Sequence, residues 1–189
     1  MFKVGIIGAG WIADKMAEAL APLQDYCVHA IASRSLAKAA AFAEKWSIPK
    51  AYGSYEEMVD DKEIDLVYIA TPHSHHYQHT MLALEHGKPV LVEKAFTANA
   101  AEAEKLLETA RSKGLFITEA IWTRYMPLSH KVKELMESGI IGEPRLLTAT
   151  LCYMMEFRRE YFALTFAEEH YSTLESMHLT LQECTSEQR

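Results

Sequence analysis

Three small residues near the amino terminus, Gly8, Gly10 and Ala13, have the spacing Gly-x-Gly-x-x-Ala. An apolar run over residues 2–7 precedes them, and a helical pattern follows at once. Strand, tight turn and helix in this order are the context in which such a spacing binds a dinucleotide. The first glycine permits the turn, the second lets a diphosphate approach the backbone, and the third small residue lets the helix pack closely on the strand. A glycine turn of this kind also serves ordinary α/β packing, so alone it leaves both interpretations open.

The helix after the turn would present its amino terminus to the diphosphate. Its first N–H groups have no partner within the helix, and the helix dipole places partial positive charge there. We therefore expect Trp11 and Ile12, in the first turn, to lie against the cofactor. The apolar spacing predicts that the buried face of this helix contains Ile12, Met16, Ala19 and Leu20.

The second predicted strand ends in Ser33 and Arg34, where a dinucleotide fold holds the ribose of the adenosine. An NAD-binding protein usually offers a carboxylate here, about 20 residues after the glycines, and this chain has none. A serine hydroxyl and a guanidinium instead suit a 2′-phosphate. The sequence thus favours NADP, with NAD as the alternative. An arginine that merely opens a helix in solvent is the other interpretation.

Strands and helices alternate along the first two thirds of the chain. Strands are predicted over residues 2–7, 26–32, 65–70, 89–92 and 115–119, with a short strand or turn beginning at Tyr52; helices are predicted over residues 36–46, from Ser54, over 74–86, over 99–113 and over 127–138. Repeated β-α units with short links predict an α/β fold with a doubly wound parallel sheet. Its ligand should lie at the carboxyl ends of the strands.

Composition narrows the class of protein. The chain has 189 residues, 49% of them hydrophobic, and a net charge of −7, which argues against nucleic acid or an anionic membrane as a partner. Its three cysteines are scattered and include no C-x-x-C, which indicates reduced thiols and a cytoplasmic location. Its apolar runs are too short to span a bilayer.

Two further motifs each follow a predicted strand: Ala70-Thr71-Pro72-His73 and Glu93-Lys94-Ala95. Together with the glycine turn and residues 119–127 (EAIWTRYMP), they resemble the Gfo/Idh/MocA oxidoreductases, a family that includes glucose–fructose oxidoreductase and inositol dehydrogenase. Residues 119–127 look most like the branch that contains dihydrodiol dehydrogenase. The resemblance covers residues 1 to about 155.

This resemblance implies a Rossmann domain and hydride transfer between a nicotinamide and a sugar, polyol or related hydroxy or carbonyl compound. Lys94 matches the family lysine that handles the substrate proton. A lysine held in a pocket beside a cationic nicotinamide has its charged form disfavoured and can exchange protons near neutral pH. The other cofactor-binding candidates outside the turn and the second strand are Thr71, Pro72, His73, His76, Glu93, Trp122 and Arg124. Full-length members are commonly homo-oligomers.

Two features keep other functions open. The family has proline after the lysine and this chain has Ala95, which favours a non-catalytic dinucleotide sensor as the alternative. His75 and His79 have the i,i+4 spacing of a metal pair, within a cluster that also contains His73 and His76. No cysteine or carboxylate completes a ligand set nearby, so we predict no metal there and expect this turn to face the cofactor cleft.

The carboxyl-terminal part departs from the family pattern. We predict a dinucleotide-binding domain over residues 1–122, the truncated start of an α+β substrate domain over 123–155 with a strand at 145–153, and an aberrant tail over 156–189. The family continues with a G-G-A-L-L-D-I-G-x-Y stretch, which is absent. Ordinary codons for residues 167–189, read from the third base, encode GGALLDIGIYALNFARMYFGAK. We therefore predict a frameshift between about residues 157 and 167 and an inactive chain; a genuine amphipathic helix is the alternative.

Overall fold

Six parallel strands form the central sheet of this protein. The computed structural model describes residues 1–148 and 150, which divide between a unit at Met1–Ala120 and a second unit that begins at Ile121. The strands are β1 (Phe2–Ile7), β2 (Tyr26–Ala32), β3 (Lys50–Tyr52), β4 (Leu66–Ile69), β5 (Val90–Val92) and β6 (Ile117–Glu119). Their order across the sheet is β3-β2-β1-β4-β5-β6. The order reverses beside β1, which opens a crevice at the carboxyl ends of β1 and β4.

Helices cover both faces of this sheet. They are α1 (Trp11–Leu20), α2 (Leu36–Trp46), α3 (Tyr55–Val59), α4 (His76–Glu85) and α5 (Ala100–Lys113). One core cluster joins α1 and α2 to the sheet, and the other joins α3, α4 and α5 to its opposite face. The expected doubly wound architecture is confirmed.

Side-chain caps explain several helix starts. The side chains of Ser35, Ser54 and Asn99 accept hydrogen bonds from backbone N–H groups of the first turns of α2, α3 and α5. Such caps satisfy donors that a helix leaves unpaired at its amino end. The carboxyl end of α5 is closed by Gly114 in the left-handed region, at φ 65°.

Three predicted elements of the first unit need correction. β3 ends at Tyr52, where we expected a strand or turn to begin. The helix expected from residue 74 is divided into a 3₁₀ turn at His73–His75 and α4, which begins at His76. Ala19 is exposed, and the buried positions of α1 are Ala13 and Ala17. Two alanines one turn apart allow α1 to approach the sheet closely, which the count of larger apolar side chains did not reveal.

The second unit contains a 3₁₀ turn at Trp122–Tyr125 and helix α6 at Pro127–Glu137. Within it, the Ser129 hydroxyl donates to the backbone oxygen of Thr123 at 2.6 Å. Residues 145–148 and 150 are not in a strand, contrary to the strand predicted at 145–153. The rest of that strand and the predicted tail lie outside the described residues. Within the described residues, no helix has the length and apolar character needed to cross a membrane.

Replacing Gly8 with alanine should destabilise the first unit strongly. Gly8 has φ 102°, and a Cβ there would lie 2.7 Å from the backbone oxygen of Ala70, which cannot move aside. We expect Gly8→Ala to lower the free energy of unfolding by about 2 kcal/mol or more, measured by urea unfolding.

Gly10→Ala is the matched control, because Gly10 has an ordinary φ of −105° and a Cβ there would meet nothing within 4 Å. It should cost less than about 1 kcal/mol. Equal losses of stability in the two variants would contradict this account of the turn.

Candidate active site

The carboxyl edge of the sheet collects the polar side chains that the sequence singled out. Gly8, Ser33, Thr71 and Glu93 follow β1, β2, β4 and β5, and Glu119 ends β6. Parallel strands end at one edge, so these positions share one side of the first unit. The strand order therefore assembles residues that lie far apart in the sequence.

Gly10 is the N-cap residue of α1, and because glycine has no side chain, it makes no side-chain hydrogen bond to the N–H groups of the first turn. The space around Gly10 is open, which suits the approach of a diphosphate to the helix amino terminus. Ala13 is fully buried against the sheet. It therefore supports the packing of α1, as expected for the third small residue, and has no exposed surface with which to touch a cofactor.

A surface cleft of about 380 Å³ begins beside this turn. Its lining includes Gly10 and Trp11 together with Lys38 and Lys45 of α2. The carboxylate of Asp14, on α1, accepts hydrogen bonds from Lys45 Nζ, on α2, at 2.6 and 2.8 Å, which joins the two helices beside the cleft. The cleft lies at the end of α1 that a diphosphate would approach, and Lys94 is not part of its lining.

Ser33 and Arg34 lie immediately after β2, at the same edge. Ser33 is half-buried, and its hydroxyl accepts from the backbone N–H of Ser35 at 3.4 Å. Arg34 is exposed, and its charge contributes to lowering the pKa of His79. The guanidinium is thus close enough to influence the carboxyl edge of the sheet electrostatically.

Three side chains hold the backbone around Lys94. Glu93 Oε2 accepts from the N–H of Lys94 at 3.1 Å, and Glu119 Oε1 accepts from the N–H of Phe96 at 2.8 Å. Between them, the Nδ1 atom of His76 lies 2.6 Å from the backbone oxygen of Ala95. The Lys94–Ala95 peptide bond is cis, and Lys94 is half-buried. Contacts from β6, α4 and the end of β5 thus determine the backbone path of residues 94–96.

Glu93 is itself held in place by a buried tyrosine. The hydroxyl of Tyr68, on β4, donates to Glu93 Oε1. Burial and the neighbouring Glu93 carboxylate raise the pKa of Tyr68 well above its usual range. The hydroxyl therefore remains a donor at any physiological pH, and the Glu93 carboxylate has a fixed partner on the strand beside its own.

His76 is completely buried, so it supports the site through backbone contacts rather than by touching a ligand. Its second ring nitrogen, Nε2, lies 2.8 Å from the backbone oxygen of Thr71. Burial lowers the pKa of His76, while the two carbonyl groups act in the opposite direction. A neutral ring has one N–H and donates to only one of these two oxygens, whereas a protonated ring would donate to both and so join the loop after β4 to the loop after β5.

The remaining histidines of this region also have protein partners. His79 Nδ1 lies 3.0 Å from the hydroxyl oxygen of Thr71, and the His79 ring stacks on that of His75. His75 Nδ1 lies 2.9 Å from the Ser74 hydroxyl, and His73 contacts His76 edge to face. Among the described residues, no three of these four histidines bring their ring nitrogens close enough together to bind one metal ion.

Sequence reasoning overlooked Tyr68 and the role of Glu119. In the sequence, Tyr68 is indistinguishable from the apolar residues of a buried strand. No neighbouring residue indicates that its hydroxyl donates to Glu93, 25 residues away. Glu119 belongs to the motif that carries the family resemblance, and that was the available signal. Trp122 and Arg124 lie in the 3₁₀ turn of the second unit, so their predicted cofactor contacts stay predictions. Pro72 is exposed at the edge, and its role is likewise untested.

The family model described as an oxidoreductase family with an NAD-binding Rossmann fold matches residues 2–120. The chain belongs to the Gfo/Idh/MocA oxidoreductases. The predicted family is therefore confirmed, and the match spans the whole first unit.

Curated relatives fall within the expected branch. The chain is 55% identical over 121 residues to D-xylose 1-dehydrogenase (NADP(+)) from Hypocrea jecorina, covering 64% of this chain and 31% of that protein. It is 43% identical over 147 residues to trans-1,2-dihydrobenzene-1,2-diol dehydrogenase from Mus musculus, covering 77% of this chain and 44% of the relative. The chain thus spans less than half the length of either relative.

Solved structures share the fold. A 3-ketoreductase from Actinomadura kijaniata, in complex with NADP and TDP-benzene, matches with a TM-score of 0.69 and 32% identity over 75% of this chain and 44% of that one. A probable dehydrogenase from Thermotoga maritima matches with a TM-score of 0.71 and 26% identity, over 76% of this chain and 43% of that one.

The stability of the protein should fall as the pH drops from 6.5 towards 4. Burial and the neighbouring His75 lower the pKa of His79 from 6.5 to about 4. Within this window the unfolded chain binds a proton at residue 79 that the folded chain does not, so acid favours unfolding. Urea unfolding at pH 7 and pH 5 should show that His79→Asn reduces this decline.

His86→Asn is the control, because His86 is a partly exposed histidine whose Nδ1 lies 2.7 Å from Asp60. It should retain the decline of the unmodified protein. A His79→Asn variant that loses as much stability between the two pH values as the unmodified protein would contradict the assignment.

Proposed function

We propose that the first unit binds NADP(H) and that the chain is the nucleotide-binding part of an oxidoreductase acting on a sugar, polyol or related hydroxy or carbonyl compound. The observation that carries this proposal is the fixed backbone of residues 94–96 at the same sheet edge as the glycine turn and Arg34. In oxidation, the substrate carbon would lose a hydride to the nicotinamide and the hydroxyl would lose its proton to the Lys94 amine. Reduction would reverse both transfers.

The preference for NADP rests on the residues after β2. Ser33 and Arg34 offer a hydroxyl and an exposed guanidinium, and neither would repel a 2′-phosphate as a carboxylate would. The Hypocrea jecorina relative carries NADP(+) in its name, and the Actinomadura kijaniata structure contains NADP. Both relationships support the same cofactor for this chain.

The proposed substrate class, oligomeric state and cellular location of this chain are inferred from its family. The relatives act on D-xylose and on a trans-dihydrodiol, which are both small hydroxylated molecules. We extend that class to this chain, with homo-oligomers for the full-length form. Cys27 is a free thiol, which suits a reducing compartment such as the cytoplasm.

We also propose that the reading frame changes between about residues 157 and 167. The shifted translation GGALLDIGIYALNFARMYFGAK supplies the stretch that the family places after the first substrate-domain strand. The chain as written lacks that stretch, so it should bind nucleotide without turning over substrate. A non-catalytic dinucleotide sensor is the second candidate, favoured by Ala95 in place of the family proline.

Arg34→Ala should weaken NADP binding and leave NAD binding nearly unchanged. A hydrogen bond to a charged group contributes about 1.5–3 kcal/mol, so the dissociation constant for NADP should rise about 10- to 100-fold. Isothermal titration calorimetry of both nucleotides measures the difference.

Arg111→Ala, which removes an arginine from the last turn of α5, is the control and should change neither affinity. If Arg34→Ala weakened NAD and NADP equally, a 2′-phosphate contact would be excluded. If the unmodified chain bound no dinucleotide at all, the proposed function would be wrong.

Restoring the frame should restore activity, and Lys94→Ala in the restored protein should abolish it. Removing the amine takes away the proton acceptor but not the nucleotide site, so turnover of D-xylose or a trans-dihydrodiol should fall about 100-fold or more while NADP affinity stays within about threefold. Steady-state kinetics and a nucleotide titration separate the two effects.

Lys113→Ala, at the end of α5, is the control and should keep full activity. A restored protein that binds NADP but oxidises no hydroxylated substrate would favour the sensor. Sequencing the coding DNA around codons 155–170 tests the frameshift itself. If no reading frame of that DNA encoded the family stretch, the proposed frameshift would be ruled out.

A further inference from the structure

A second cluster of chemically capable side chains lies at the opposite, amino edge of the sheet. His29 is on β2, while Asp61 and Glu63 belong to the segment that leads into β4. One nitrogen or oxygen atom from each of the three lies within 4.8 Å of the others. Lys50, the first residue of β3, lies beside them. The proposed nucleotide site does not use this cluster.

A β-bulge directs His29 into the cluster. The pairing of β1 with β2 runs from Val4 and Val28 directly to Gly5 and Ala30, so His29 is the extra residue. Val28 and Ala30 consequently pack into different core clusters, although alternate residues of a regular strand share a face. Bulges of this kind re-aim a side chain.

The Nε2 atom of His29 is buried and has no hydrogen-bond partner within the described structure. Its side chain is only 8% exposed, and that of Asp61 is 7% exposed. Nε2 lies 3.6 Å from Asp61 Oδ2 and 3.5 Å from Glu63 Oε2. These distances are too long for good hydrogen bonds. They match the edge of a tetrahedron around zinc, about 3.3–3.6 Å for bonds of 2.0–2.2 Å.

We propose that His29, Asp61 and Glu63 bind one divalent transition-metal ion, zinc by preference, with a water molecule as the fourth ligand. An imidazole nitrogen with two carboxylate oxygens is a donor set that zinc accepts. The ion would give the buried Nε2 atom the partner that it lacks. It would also join β2 to the segment that precedes β4.

A cation already lies against the two carboxylates. Lys50 Nζ donates to Asp61 Oδ2 at 2.9 Å and to Glu63 Oε2 at 2.6 Å, the same oxygens that face His29. The metal would displace this ammonium, whose side chain is 34% exposed and can turn into solvent. Lys50 is therefore the competitor of the metal and sets its apparent affinity.

Two other contacts keep the ligands oriented. The Tyr52 hydroxyl donates to Asp61 Oδ2 at 2.9 Å, and Lys3 Nζ donates to the other Glu63 oxygen, Oε1, at 2.6 Å. Partners of this kind tune metal ligands.

Titration of the metal-free 189-residue chain with Co²⁺ and then Zn²⁺ tests the proposal. We expect one equivalent of Co²⁺ to give the visible absorption of a tetrahedral site, Zn²⁺ to displace it, and Zn²⁺ to raise the unfolding temperature. His29→Gln and Glu63→Gln should each weaken Co²⁺ binding by at least about 100-fold. Because Glu63 is 51% exposed, its variant should fold even if His29→Gln does not.

Lys50→Met should tighten Co²⁺ binding about tenfold or more, since it removes the competing ammonium. Lys45→Met is the matched control, because Lys45 also pairs with a carboxylate, that of Asp14, and it should not change the affinity. His86→Gln controls for the surface histidine beside Asp60 and should retain the tetrahedral spectrum.

Absence of stoichiometric binding to the unmodified chain would overturn the proposal. So would a tetrahedral spectrum that survives Glu63→Gln, or an affinity that Lys50→Met leaves unchanged. None of these outcomes depends on nucleotide binding, so the metal site and the proposed oxidoreductase function succeed or fail separately.

Discussion

The candidate active site depends on the hydrogen bonds that hold residues 94–96 after β5. These residues follow the end of β5 at Val92. Glu93, His76 and Glu119 contact three of them in succession. Two of these contacts involve carboxylates, and a hydrogen bond to a charged group contributes about 1.5–3 kcal/mol, more than a neutral one does. The position of the Lys94 backbone is therefore determined by side chains on three different elements.

The strand order separates two kinds of chemistry at the two edges of one sheet. At the carboxyl edge, the open amino terminus of α1 and the Arg34 guanidinium are suited to phosphate groups. At the amino edge, Asp61 and Glu63 face a buried imidazole and lysine ammonium groups. Both arrangements follow from parallel strands, which bring all of their beginnings to one side and all of their ends to the other. The same topology that creates the nucleotide site thus leaves the opposite edge free to bind a cation.

Local signals predicted much of this fold. The bounds of β1, β2 and α2 agree with the sequence analysis, and helices were expected to start at Ser54 and Asn99, the residues that cap α3 and α5. Glycine spacing identified the turn after β1. The start of α4 was missed because the 3₁₀ turn at His73–His75 runs directly into the helix, so no change in residue type marks the boundary. Short strands such as β3 were the least certain because three residues carry little periodicity.

Long-range partners were beyond the reach of a single sequence. Tyr68 and Glu93, or His29 and Asp61, meet only after the sheet has formed, and neither residue of a pair marks the other. The bulge that turns His29 inward depends on the register of β1 with β2, which hydrophobic alternation alone does not specify. Resemblance to a family identified Lys94, but the side chains that hold its backbone became visible only in three dimensions.

Amide hydrogen exchange of Phe96 tests the central claim most directly. In Glu119→Ala the Phe96 N–H loses its carboxylate acceptor, and its exchange rate should rise about 10- to 100-fold while strand residue Val92 changes little. Glu102→Ala, which removes the carboxylate that accepts from Ala98 N–H at 3.3 Å, should leave Phe96 unchanged. If Phe96 exchanged at the same rate with and without Glu119, the side chains described here would not be what holds the segment that carries Lys94.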